Sequence, residues 1–153
     1  MDGVLFANSV FNLAGMGLLV AWSVGNILLG LYKFGKYDKK TQAFGFWKMT
    51  WMWNLVNLTI VVFALLGLEQ STIDPSNQQQ IINTIADLRE ILFANFIVDW
   101  FYMLGGFLLA KYGLRKNNMR LVGYGRAIIV QGLFLLVLDL VLYLGNTYFL
   151  SLL

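Results

Sequence analysis

The 153-residue chain contains no cysteine, no histidine and a single proline. The lack of cysteine excludes disulfides, thiolate nucleophiles, zinc–thiolate clusters and c-type haem attachment, and it leaves the redox compartment undetermined. Lacking histidine as well, the chain has none of the usual imidazole ligands for haem or metal. Charge is scarce too: Asp, Glu, Lys and Arg make up 12% of the residues, about half the usual quarter. No nucleotide, metal or nucleophile motif interrupts the sequence. No cofactor and no metal site are therefore expected.

Apolar residues take the vacant share, with 59% hydrophobic and 16% aromatic side chains and a mean hydropathy of +0.68. Four apolar stretches, roughly 4–32, 44–68, 91–110 and 121–144, each reach or exceed the about 20 residues a helix needs to cross hydrocarbon. The expected fold is all-α, an integral membrane four-helix bundle forming a single domain over 1–153. Its spans are expected at about 4–32, 44–68, 86–112 and 121–146, with an extracytoplasmic loop at 69–86. The first stretch is longer than a signal h-region and no Lys or Arg precedes it, so it is expected to be retained.

The formal charge of +3 does not point to nucleic acid, because the basic residues gather in two short connectors. Lys33, Lys36, Lys39 and Lys40 lie in the first; Lys111, Arg115, Lys116 and Arg120 lie in the third. The middle connector opens with Glu69 and Asp74 and has no base before Asp87. The positive-inside rule places both basic loops in the cytoplasm and both termini outside. Asp74-Pro75 is a suitable helix start, with Asp as N-cap and Pro in the first turn. From there Ile81, Ile85 and Leu88 share one face, either as an amphipathic segment on the outer leaflet or as a solvated extension of span three.

Shifting the chain by 80 positions lays 25–30 on 105–110, Tyr32 on Tyr112, Lys36 on Lys116, Phe44 on Tyr124 and Gly45 on Gly125. Two tandem helical hairpins of like orientation would produce this pattern, and chance matches between short apolar words are the alternative. Asp99 and Asp139 do not follow it, falling opposite Leu19 and Thr59. Small residues recur at helical spacing as Gly17, Ala21 and Gly25, beside Trp22, Asn26 and Gly30, and again as Gly106 and Ala110. Such rows let helices approach closely in lipid. Packing of span one on span three is expected from them, with a homodimer face as the alternative.

Polar side chains at depth are the costly ones, since an acid at the bilayer centre costs at least about 2.5–3.5 kcal/mol and must find a partner. Asn95, Asp99 and Tyr102 fall on one face of span three; Asn54 and Asn57 share a face of span two; Gln131 and Asp139 lie close around span four. With Ser23 and Asn26 of span one they are the candidate ligand- or ion-binding residues of an interhelical polar seam. The competing reading is interhelical hydrogen bonding that only fixes register, at about 0.6 kcal/mol per bond. Trp47, Trp51 and Trp53 beside Lys48 fit an interfacial aromatic belt, and Arg126 beside Tyr124 is expected to meet lipid phosphate rather than Asp99.

The combination of Trp22-x-x-x-Asn26-x-x-x-Gly30, Trp53-Asn54-x-x-Asn57, Asn95-x-x-x-Asp99-x-x-Tyr102 and Gly123-Tyr124-Gly125-x-Ala127-Ile128-x-x-Gln131-Gly132 leading to Asp139 resembles a family of small four-span bacterial membrane proteins of uncharacterised function. The resemblance runs over about 15–139. It implies a four-helix membrane bundle in a bacterial inner membrane that reuses these intramembrane polar positions, and it supplies no reaction, substrate or cofactor. The expected function is non-enzymatic: binding of a lipid-like ligand or a partner membrane protein through the seam. A proton- or ion-coupled transporter using Asp99 and Asp139 is the alternative, and a membrane-embedded enzyme comes third. Membrane lipids, a second copy of the chain or another membrane protein are the expected partners; nucleic acid is not.

Overall fold

A computed structural model describes residues 2–70 and 77–153. The described residues form four helices: α1 (Asp2–Phe34), α2 (Gln42–Gln70), α3 (Gln78–Arg115) and α4 (Met119–Leu150). The expected all-α bundle is what forms. Three stretches, Gly3–Phe34, Gln78–Arg115 and Met119–Leu150, are long and apolar enough to cross a membrane. Large apolar side chains such as Phe6, Leu28, Phe63, Phe101, Phe107 and Leu144 point outward, a surface that hydrocarbon rather than water would solvate.

Local signals set the helix ends. Thr41 caps α2, its hydroxyl accepting from the Phe44 amide at 3.2 Å. Asn118 caps α4 by accepting from the Leu121 amide at 3.3 Å. Between α3 and α4 the chain turns through Asn117, whose φ of 51° is the left-handed conformation that asparagine tolerates better than most residues. The proposed Asp74-Pro75 start lies outside the described residues; α3 is capped by Asn77, which accepts from the Gln80 amide at 3.1 Å. Because α3 runs unbroken for 38 residues, Ile81, Ile85 and Leu88 belong to a continuous extension of the third helix rather than to a separate surface segment.

α4 is the centre of the arrangement. α1 runs antiparallel to it, with Gly15 against Leu142 and Phe11 against Gly145. α3 is antiparallel on another side, with Gly113 against Val122 and Gly106 against Gly125. α2 lies parallel to α4, with Gly45 and Gly123 against Arg120 and Gln42 at one end and Asn54 bonded to Gln131 further along both helices. The expected packing of the first helix on the third does not form: α1 rests on α2 and α4, and the backbone of α3 rests on α4. The reason is visible in the small residues. Gly30 meets Trp47 and Trp51 of α2, Gly106 meets α4, and Gly17 and Gly25 have nothing within 4 Å. Residues equivalent under the 80-position shift also take different neighbours, since Gly45 turns to α4 whereas Gly125 turns to α3. One equivalence survives: Lys36 lies over Tyr32 and Lys116 over Tyr112, at 3.6 and 6.0 Å.

Candidate functional site

The buried residues of α3 are Ile85, Leu92, Asp99, Gly106 and Gly113, one in every seven. That period is the signature of a narrow helix–helix seam. Across it α4 presents Gly125, Gly132 and Asp139 at the same period. A β-carbon on Gly125 would run into the Gly106 carbonyl and the Ala110 backbone, and one on Gly106 would lie 2.8 Å from the Gly125 carbonyl. The two backbones therefore touch toward the loop end, and the seam then meets Gly132, which faces Met103 and the Asp99 carbonyl.

Helical side chains tilt toward the N-terminus of their own helix. In an antiparallel pair this turns Asp99 and Asp139 toward each other across the seam, near enough for the two carboxyl groups to interact. An ionised carboxylate only accepts, so a hydrogen bond within the pair needs a proton on one member. Asp99 is 3% exposed, and its Oδ2 is buried without a partner.

A second node ties the other three helices. Gln131, 1% exposed, accepts at Oε1 from Trp22 Nε1 at 2.8 Å and from Asn54 Nδ2 at 2.9 Å. The Trp22 ring also stacks on Phe134 with centroids 4.1 Å apart. Asn54 Nδ2 donates further to the Thr50 carbonyl at 2.8 Å, leaving Asn54 Oδ1 buried and unpartnered, as are Asn57 Nδ2 and Trp53 Nε1. The Trp53 ring reaches across to Tyr102 of α3, edge to face at 5.0 Å. Asn54 stands beside Gln131 and Asp99 beside Gly132, so Asn57, one turn along α2, and Asp99 occupy the same depth on two flanks of α4.

Four of the nine expected residues thus fall into two contacts, Asn54 with Gln131 and Asp99 with Asp139. Asn57 is buried near them, and Tyr102 is 41% exposed and packs on Trp53. Two do not join. Asn26 donates to the Trp22 carbonyl of its own helix at 2.9 Å, and Asn95 is exposed. A stripe one residue wide explains Asn95: on α3 a side chain about 40° from Asp99 already lies off the only flank that touches α4. Ser23 is buried, its hydroxyl unpartnered.

A family of unknown function matches residues 18–140, four-fifths of the chain and all the positions above. The chain belongs to DUF6992. No curated protein and no solved structure matches it. A family of unknown function was expected from the motifs, and a family of unknown function is what matches.

One polar cluster lies wholly outside the limits of the DUF6992 match and was missed in the sequence. Asn8 and Asn12 of α1 meet Asn146 of α4 near the end far from the basic loops. Asn146 Oδ1 accepts from Asn8 Nδ2 at 2.9 Å and Asn12 Nδ2 at 3.0 Å, while Asn146 Nδ2 donates to Asn12 Oδ1 at 2.8 Å. The four-residue spacing of Asn8 and Asn12 was the available signal. All three amides are satisfied within the cluster, which makes it a clamp between helices rather than a site.

Proposed function

We infer that this DUF6992 chain is a non-enzymatic integral membrane protein that holds the polar group of a lipid-like ligand where α2, α3 and α4 meet. One observation carries the reading: Asn57 Nδ2, Trp53 Nε1, Asn54 Oδ1 and Asp99 Oδ2 are buried without partners. Buried polar groups are seldom left so, because each costs about 1–3 kcal/mol. Two donors and two acceptors suit a hydroxyl, amide or acid group that both gives and receives hydrogen bonds. A four-span topology accompanies this reading. α1 and α3 both run antiparallel to α4, so the chain must recross between them, and α2 is the segment that does so. With both basic loops in the cytoplasm of a bacterial inner membrane, the termini lie outside.

Native mass spectrometry of protein extracted in mild detergent tests the ligand. Expected is one defined small amphiphile, with occupancy at least tenfold lower in Asn57→Leu and Asp99→Leu; repeated spectra of bare protein refute the reading. The Asp99–Asp139 contact favours a second reading, proton- or ion-coupled transport. It requires pH-dependent flux in proteoliposomes that Asp99→Asn abolishes, and it fails if the parent protein gives none or the variant leaves flux unchanged.

A further inference from the structure

In a chain so poor in charge, four cations line one cavity. Lys39 and Lys40 come from the α1–α2 connector, Lys116, Asn117 and Asn118 from the α3–α4 connector, and Met119 and Arg120 from the first turn of α4; together they border an open cavity of about 330 Å³ with no carboxylate in the wall. The acid of the first loop stands at the edge of this wall, Asp38 Oδ1 accepting from the Lys40 amide at 2.8 Å. Like charges brought together repel, so something must hold these two loops side by side. Directly beneath the cavity Gly45 lies against the Arg120 carbonyl and Gly123 against the Gln42 carbonyl, approaches that any β-carbon would block. The fold thus concentrates positive charge around an empty space of the size that small ligands fill.

We propose that this cavity binds the phosphate of an anionic phospholipid headgroup. Two ammonium groups, a third from Lys116 and the guanidinium of Arg120 supply the charge-assisted donors a phosphate needs. α4 starts at the cavity, and the positive end of its dipole adds to the field. Lys116 and Arg120 ride over Tyr112 and Tyr124 at 6.0 and 5.8 Å, one turn from each base along its own helix. Tyrosines beside lysine and arginine mark the headgroup level of a membrane protein, and basic pockets between helices at that level take anionic lipid. The phosphate is therefore that of a lipid already in the bilayer. The site is separate from the mid-membrane seam and does not depend on it.

The test uses full-length protein in nanodiscs of phosphatidylcholine doped with phosphatidylglycerol, with bound lipid counted by native mass spectrometry. Expected is selective retention of phosphatidylglycerol, weakened at least tenfold in Lys39→Gln/Lys40→Gln/Lys116→Gln/Arg120→Gln. Lys33→Gln/Lys36→Gln/Lys111→Gln/Arg115→Gln removes four charges from the same face outside the cavity and should retain the lipid within about threefold. Equal loss in both quadruple variants reduces the effect to diffuse surface charge and overturns the pocket, as does the absence of any preference over phosphatidylcholine. Binding of inorganic phosphate without lipid selectivity assigns the cavity to a soluble anion and overturns the lipid source. Retention that survives the cavity variant with its helical signal intact also refutes the proposal.

Discussion

At the scale of single residues, Gln131 has the widest reach, since one carbonyl oxygen serves donors from two other helices. Gln131→Leu strands the Trp22 indole and removes one of two acceptors from Asn54 Nδ2. A loss of about 1–3 kcal/mol is expected, read as a lower unfolding temperature in detergent, whereas Trp22→Phe removes a single bond and should cost about 0.6 kcal/mol. That these positions matter was legible in the sequence, because an amide or acid inside a long apolar run must be satisfied by another helix. Which pairs form was not legible. Pairing depends on the relative depth of the helices, and glycine contacts such as Gly123 on Gln42 and Gly125 on Gly106 set that depth. Asn8, Asn12 and Asn146 escaped notice because they lie near helix ends, where water is an available partner and a polar side chain carries less information.

At the scale of elements, α3 and α4 form a seam with one buried residue in seven, closed by glycines at one end and occupied by two carboxyl groups further along. Gly125→Ala must force a methyl between touching backbones, and the overpacking is expected to cost about 1–3 kcal/mol. Gly17→Ala, with open space around it, should leave stability unchanged. Thermal unfolding of the two variants side by side checks the contrast, and equal behaviour would contradict the packing described. The small-residue rows were visible in the sequence; their partners were not. A row on a helical wheel says that a close approach is available, without saying which neighbour uses it. Gly30 found α2, Gly106 found α4, and the Gly17 and Gly25 stripe found none among the described residues.

For the whole molecule, topology is the accessible property, and the absence of cysteine gives a clean background for measuring it. Single cysteines at Lys39 and Asn117 should react with an impermeant maleimide from one side of sealed vesicles, and one at Asn77 from the other. Labelling of all three from the same side would remove the four-span topology. The overall architecture was the most legible level, since the apolar runs already fix helix number and order; the central position of α4 was not, because nothing in composition distinguishes the helix that others lean on. One dimension of this arrangement has a mechanical consequence. With 38 residues, α3 is about 57 Å long, nearly twice the about 30 Å of a hydrocarbon layer. Its first turns carry exposed Gln78, Gln79, Asn83, Asp87 and Glu90. No proline and no break in the helix separates that mast from Asp99, about six turns away. A twist applied to its tip is carried along one continuous helix toward the carboxyl pair, so anything that grips that end has a handle on Asp99.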